Sequence, residues 1–310
     1  MYFIRGGIVA LCVFCLVYVA LSLLVGAAWR ALRRDQRPLS SDAAYGFRIL
    51  PVVAALVAVT VFTVPSFLRF EPHWDDEPVG TAALALATAG AAILVFGTVS
   101  ALRAWMRTSR WVSFWIADSQ ALKLGDTVPV FQTSETAPLL AVAGLCRPKL
   151  LVSGDAGRLL DPGELAVAIR HELAHVRRRD NLKKLVLRAC QFPFLRALER
   201  AWLEAAEMNA DDEAVKDERS ALDLAAALIK VSRLAPRVPS PELAMDLVST
   251  PSGAVAARVQ RLLAWKPRVR PNPRSLRIGM PAAFVAAVFT GFAYMWVLAR
   301  VHEFTELLVR

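Results

Sequence analysis

A chain of 310 residues that is 56% hydrophobic, with a mean hydropathy of +0.42, is too apolar for an ordinary soluble domain. Its net charge of +10 is compatible with nucleic-acid binding, but many of the basic residues flank apolar segments, so we expect a membrane protein and no direct contact with nucleic acid. The 4 cysteines form no disulfide framework, which is typical of a reducing compartment.

Four apolar segments lack Asp, Glu, Lys, Arg and His and are long enough to span a bilayer, because roughly 20 helical residues cross its ~30 Å hydrocarbon core. They cover residues 6–29, 49–68, 78–102 and 278–299. The first segment is longer than the core of a signal peptide and its basic residues follow it, so we expect it to remain in the protein. Transporters usually carry ionisable side chains at membrane depth, so the composition of these segments makes transport a minor alternative.

The distribution of arginine predicts the orientation of these segments in the membrane. The first connection between them is rich in arginine, the second is acidic, and the third begins and ends with basic residues. The basic connections are therefore expected on the cytoplasmic side and both termini on the external side. The expected domains are three membrane helices over 1–102, a cytoplasmic domain over 103–277, and a fourth membrane helix with a short external tail over 278–310.

The cytoplasmic segment begins with aromatic and basic residues that alternate at helical spacing. They are Arg103, Trp105, Arg107, Arg110, Trp111, Phe114 and Trp115. One interpretation is an amphipathic helix that lies in the lipid headgroup region. The other is an extension of the third membrane helix, with its aromatic side chains packed against the domain.

Short strands and then helices are predicted for the rest of this segment. The strands are expected over 127–132, 139–143 and 149–153, with Gly144 in a hairpin between the last two. The sequence Asp161-Pro162-Gly163-Glu164 predicts the start of a helix, with Asp at the N-cap and Glu closing a capping box. Asp180-Asn181 is expected to end that helix and begin the next. Further helices are expected over 196–216, 221–234 and 255–265.

His171-Glu172-Leu173-Ala174-His175 is the motif that points most directly to chemistry. Residues i and i+4 project from one face of a helix, so the two imidazoles can reach one zinc ion at ~2.0–2.1 Å. Glu172 lies beside them and can act as the general base for a metal-activated water. The surrounding Leu and Ala residues predict a buried helix, which argues against two histidines that merely contact solvent.

A catalytic zinc usually has three protein ligands and one open position. No other histidine is expected on the cytoplasmic side, so the third ligand is expected to be a carboxylate or, as a weaker alternative, Cys146 or Cys190. The acidic residues of the predicted helix 196–216 are the candidates, and they include Glu204, Glu207 and Asp211. Periodicity alone does not select one of them.

Two segments, GELAVAIRHELAHVRRRDNLKKL over 163–185 and EMNADDEAV over 207–215, resemble the BlaR/MecR type of bacterial membrane metallopeptidases. The resemblance implies a mainly α protein with four membrane helices and an inserted zincin-like (gluzincin) α+β protease domain that holds one Zn²⁺. It also implies that Glu207 is the third zinc ligand and that Asp211 binds the second ring nitrogen of His171. The substrate of such a domain lies along an edge strand, which is expected here at 139–143 or 149–153.

By this resemblance we expect a zinc endopeptidase of the bacterial inner membrane that cleaves a cytoplasmic protein such as a DNA-binding repressor, with a membrane sensor as a further partner. Membrane-protein quality control and an inactive metal-binding scaffold are the alternatives. Well-known members carry an external β-lactam-binding domain after the fourth helix, whereas this sequence stops at Arg310, so we do not expect it to sense β-lactams directly. The segment 103–277 also lacks Tyr and further His, which leaves Asn209 and Arg177 as weak candidates for stabilising the oxyanion.

Overall fold

A computed structural model shows a mainly helical protein with one small sheet. It describes residues 2–33, 40–72, 79–117, 119–122, 128–133, 137–145, 147–190, 195–234, 243, 245–246, 252–266 and 280–309. In the last two of these segments, side chains are described only from residues 255 and 294 onward, and the pair 245–246 is described by its backbone alone.

Three long helices are apolar enough to cross a membrane, and they confirm the first three predicted spans as helices. They are α1 (Tyr2–Leu32), the continuous helix formed by α2 (Ser41–Val57), a π-helical turn (Ala58–Thr63) and α3 (Val64–Phe70), and α4 (Thr81–Ala117). Each helix is longer than its predicted span, because it continues into the flanking polar residues. Side chains in these flanks cap the helix end or pack against neighbouring residues. Ser40, for example, accepts a hydrogen bond from the backbone N–H of Ala43 and starts α2 before residue 49. Helix α11 (Met280–Val309) covers the fourth predicted span from residue 280, and a fourth membrane helix remains a prediction.

The aromatic segment after residue 102 is an extension of α4. Trp115 is buried and packs with Ala143 and Leu151 of the sheet. Trp111 and Phe114 are exposed, so the predicted packing of the aromatic residues on the domain holds for Trp115 alone among these three.

The sheet has five strands in the order β1-β2-β4-β3-β5. They are β1 (Gln120–Leu122), β2 (Val130–Thr133), β3 (Leu140–Ala143), β4 (Lys149–Ser153) and β5 (Met245–Asp246). Strands β3 and β4 form the predicted antiparallel hairpin, in which Gly144 has a φ of 104° that favours glycine. The expectation that 149–153 is an edge strand is wrong, because β4 lies between β2 and β3. The alternative, 139–143, is not an edge strand either, because the other side of β3 pairs with β5 through Ala141 and Val142.

The helices of the polar segment cover one face of this sheet and extend toward the membrane helices. They are α5 (Ala156–Leu159), α6 (Pro162–Arg178), α7 (Asp180–Ala189), α8 (Arg196–Ala214), α9 (Glu218–Leu234) and α10 (Ser252–Leu263). Apolar residues of α6, α9 and α10 form a common core with β3 and β4. The predicted capping box is present, with Asp161 at the N-cap of α6 and the Glu164 carboxylate accepting from the Asp161 backbone N–H at 3.0 Å.

Helices α7 and α8 pack directly on the long apolar helices α1 and α2 through a second apolar cluster. Its buried members are Val25, Ala44, Leu187, Leu195, Leu198, Trp202 and Ala206. Val25 belongs to α1 and Ala44 to α2, so the helix that carries Glu207 and Asp211 rests on the first two membrane helices.

Candidate metal centre

Helix α6 places the two histidines of the motif in the interior of the protein. His171 and His175 are fully buried, at 0% and 1% exposure, although imidazole is a polar group. Their Nε2 atoms lie 3.2 Å apart, so both rings direct the same nitrogen toward one point. The prediction that the Leu- and Ala-rich context buries this face of the helix is confirmed.

Glu207 of α8 completes a group of three that could hold a metal ion. One of its oxygens lies 3.5 Å from Nε2 of His171 and the other lies 3.8 Å from Nε2 of His175. A tetrahedral zinc with ligand distances of ~2.0–2.1 Å separates its ligand atoms by ~3.3–3.4 Å, which matches the 3.2 Å between the two Nε2 atoms. The ligand atoms of all three residues lie within 4.8 Å of one another, close enough to hold one ion. Glu207 is 2% exposed, whereas Glu204 faces solvent, so burial selects the carboxylate that periodicity left open.

Each histidine has a buried carboxylate on its other ring nitrogen. Nδ1 of His171 lies 3.0 Å from Asp211, the contact that the resemblance implied. Nδ1 of His175 lies 2.8 Å from Asp180, a contact that the sequence had not suggested. A proton on Nδ1 beside each carboxylate would leave the Nε2 lone pair for a metal, the usual arrangement of metal-binding histidines. Asp180 reaches back because Arg179 adopts a left-handed conformation, with φ of 55°, that reverses the chain between α6 and α7.

Arg258 of α10 is a second residue that the sequence reasoning missed. Its side chain is 4% exposed and contacts Glu207 and Asp211 of α8. Nη1 lies 2.9 Å from Glu207, while Nε and Nη2 donate to the two carboxylate oxygens of Asp211 at 2.9 and 2.7 Å. No spacing rule relates α10 to the histidine motif, so only the folded chain reveals this contact.

The buried charges shift the two histidines in opposite directions. Burial lowers the pKa of His171, but hydrogen bonds to Asp211 and Glu207 outweigh it and raise that pKa to about 9. Burial dominates for His175 and lowers its pKa. In the metal-free site these pKa shifts favour protonation of His171 and the neutral form of His175.

The acidic residues of the site remain charged. Burial opposes the charge of Glu207, but His171, His175 and Arg258 lower its pKa to about 2. Burial likewise disfavours the charged form of Asp211, yet Arg258 and His171 hold its pKa well below the ordinary value. A buried site with anionic carboxylates and a neutral imidazole suits a divalent cation.

Glu172 is fully buried on the same helix as the histidines. Its charge, together with those of Asp211 and Glu207, raises the pKa of Arg258 against the effect of burial. Glu172 is therefore electrostatically coupled to the metal group.

The remaining sequence candidates lie elsewhere or outside the described residues. Arg177 is mostly exposed and pairs with Glu213 at 2.6 Å, and Asn209 is half-buried and is not part of the metal group. Cys190 is buried at the end of α7 beside the membrane helices. Cys146 lies outside the described residues.

A second group of possible metal ligands lies where the end of α3 meets α11. It consists of Glu71, His302 and Glu306. Arg5 of α1 lies 3.1 Å from Glu71 and 3.3 Å from Glu306. A cation of the chain itself already balances these carboxylates, so the geometry is that of an ion-pair cluster.

Neither a scan against protein-family models nor a search of curated proteins found a match to this chain.

Proposed function

We propose that the chain is a membrane-anchored, zinc-dependent endopeptidase. The observation that carries the proposal is the buried group of His171, His175 and Glu207, whose ligand atoms all lie within 4.8 Å of one another. Glu172 lies next to the first histidine in the sequence and is buried with it. The residue types match those of a hydrolytic zinc site, which has two histidines and a carboxylate as its three ligands and a glutamate beside the first histidine.

When bound, zinc supplies a Lewis acid that acidifies water and polarises a peptide carbonyl. His171, His175 and Glu207 hold the ion, while Asp211 and Asp180 fix the orientation of the two imidazoles. In this proposal Glu172 accepts a proton from the attacking water and passes it to the leaving amine nitrogen. The low exposure of all these groups excludes bulk water and strengthens their electrostatic interactions.

The proposed substrate is a cytoplasmic protein whose backbone would pair with the outer side of β3 by displacing the two-residue strand β5, since main-chain pairing accepts varied sequences. Strand β3 packs on α6 and leads into the turn at Gly144. The arginine-rich connections support a cytoplasmic domain, and the resemblance to the BlaR/MecR type supports a bacterial inner membrane, a repressor as substrate and a membrane sensor as partner.

The test compares wild type with Glu172→Ala and with Glu204→Ala, an exposed glutamate of α8 that serves as the matched control. New protein N-termini are identified by proteomics in cells that express each variant, and zinc content is measured on the purified proteins. We expect wild type and Glu204→Ala to generate the same new N-termini. Glu172→Ala should generate none while keeping its zinc, because Glu172 is not a ligand in this proposal.

Persistent cleavage by Glu172→Ala would contradict the assigned base. Zinc binding by all three proteins without any new N-terminus would favour the inactive scaffold over the peptidase. Cleavage of many unrelated membrane proteins, rather than one cytoplasmic target, would favour quality control.

A further inference from the structure

Helix α7 connects the membrane helices to the candidate metal centre. Its first residue, Asp180, binds His175, and the residue that follows its last turn, Cys190, contacts two membrane helices. Its ten residues span ~15 Å, at 1.5 Å per residue. A single short helix therefore has a metal-site contact at one end and a membrane-helix contact at the other.

The C-terminal end of α7 is held by two buried polar side chains. The carbonyl oxygen of Cys190 accepts hydrogen bonds from the hydroxyl of Tyr18 in α1, at 3.3 Å, and from the guanidinium of Arg48 in α2, at 2.5 Å. A cation is favoured there because the unpaired carbonyls give a helix C-terminus partial negative charge. Gly97 of α4 approaches the same turn so closely that a Cβ would lie 2.1 Å from the carbonyl oxygen of Ala189. Three membrane helices thus contact one turn of α7.

Burial of the Arg48 guanidinium costs free energy, and contacts within α2 do not account for its position. It is 2% exposed within the second apolar helix, where an arginine is rare and usually has a functional role. In the part of the chain that the structure describes, its Nε and Nη1 atoms have no hydrogen-bond partner. Each unsatisfied buried donor costs ~1–3 kcal/mol, so the contact with α7 is the interaction that accounts for a buried guanidinium here.

The N-terminal end of α7 contacts the candidate metal centre and the end of strand β3. Asp180 fixes the Nδ1 side of His175, and its carboxylate is fully buried. The Asn181 side chain donates to the carbonyls of Val142 and Gly144, at 3.1 and 3.3 Å, and so holds the end of β3. A small displacement or rotation of α7 would change the ring orientation of a metal ligand.

We propose that Tyr18 and Arg48 are positioning residues of the metal centre, which act through α7 and Asp180 on His175, so that the arrangement of the membrane helices sets the metal affinity. The proposal rests on the metal centre proposed above. It gives the membrane part a role beyond anchoring, since a change in the packing of α1, α2 and α4 would reach His175 through one rigid element.

The experiment measures zinc affinity by competition with a chelating dye, on the full-length protein purified in detergent. The variants are Arg48→Met, the milder Tyr18→Phe, Asp180→Asn, and the double variant of Arg48→Met with Asp180→Asn. Ser66→Ala is the matched control, because the Ser66 hydroxyl donates to the carbonyl of Leu298 at 2.7 Å and so joins membrane-associated helices without contacting α7.

Loss of a residue that orients a metal-binding histidine typically weakens binding ~10–100-fold, so we expect that range for Asp180→Asn. Arg48→Met should weaken zinc binding ~10-fold and Tyr18→Phe ~3-fold, since each removes one of two hydrogen bonds to the end of α7. Ser66→Ala should bind zinc as the wild type does. In the Asp180→Asn background, Arg48→Met should have little further effect, because a coupling that acts through Asp180 is lost with it.

A purely structural role of Arg48 would give equal losses with and without Asp180, and that result would overturn the proposal. An unchanged affinity in both Arg48→Met and Tyr18→Phe, or an equal loss in Ser66→Ala, would also overturn it. A wild-type protein that binds no zinc would refute the metal centre itself, which distinguishes failure of the proposed function from failure of this coupling.

Discussion

Replacement of Arg258 by methionine should destabilise the metal-free protein far more than the zinc-bound protein. Methionine has a similar length but removes the contacts with Glu207 and Asp211, which are 2% and 0% exposed. Removal of one partner from a buried ion pair costs ~3–5 kcal/mol, because the other charge is left buried without compensation. Bound zinc would restore positive charge beside Glu207, so we expect a loss of only ~1–2 kcal/mol in its presence.

The assay is thermal unfolding in detergent, followed by tryptophan fluorescence with added zinc or with a chelator. A change of 1 kcal/mol shifts Tm by ~2–4 °C in a large domain, so Arg258→Met should lower Tm by ~10 °C without metal and by only a few degrees with it. Arg177→Met is the control, because the pair of Arg177 with Glu213 is mostly exposed and is worth ~0–1 kcal/mol. Equal shifts with and without zinc, or no shift in the metal-free protein, would refute the assignment of Arg258 as the compensating charge of the site.

Three further predictions concern orientation, pH and helix packing. Reporter fusions after Gln36 and Asp155 should behave as cytoplasmic and one after Asp75 as external, because arginine is concentrated in the first and third connections. A cytoplasmic signal from the fusion at Asp75 would contradict the predicted orientation. The raised pKa of His171 stabilises the metal-free fold fully below its ordinary value of 6.5, and this contribution is lost as pH rises through about 9. Zinc must displace that proton, so its affinity should rise ~10-fold per pH unit between pH ~6.5 and ~8.5, and a flat profile would contradict the protonated imidazole. Gly97→Leu should lower Tm in the metal-free and zinc-bound protein alike, because a Cβ at residue 97 would clash with the carbonyl oxygen of Ala189 in α7. An unchanged Tm would contradict this close approach of α4 and α7.

Local sequence signals predicted the helix that carries the motif. The capping box at Asp161 and the apolar periodicity predicted a buried helix, and both are present in α6. The spacing of His171 and His175 brought their ring nitrogens together without any tertiary information, because i and i+4 are neighbours on every α-helix. The choice of Glu207 came from the resemblance and agrees with the burial of that residue, which depends on how α8 packs.

Local sequence patterns did not predict the contacts that depend on tertiary packing. Asp180 marked a helix boundary in the sequence, but its contact with His175 depends on the left-handed turn at Arg179. Arg48 falls in the arginine-rich connection predicted between the spans 6–29 and 49–68, whereas packing of α7 against α2 buries it inside a helix. The expected edge positions of 139–143 and 149–153 were both wrong for a similar reason, since the order of strands depends on pairing between distant segments.

Zinc content per chain in purified Glu207→Ala and Glu204→Ala tests the central claim most directly. The two residues lie on the same helix, about one turn apart, but only Glu207 is buried with the histidines. We expect about one zinc per chain in wild type and in Glu204→Ala, and almost none in Glu207→Ala, because two histidines alone rarely hold a catalytic zinc tightly. Asp211→Ala should fall between them, since it removes only the partner of His171. Full zinc occupancy in Glu207→Ala, with loss in Glu204→Ala, would contradict the ligand set.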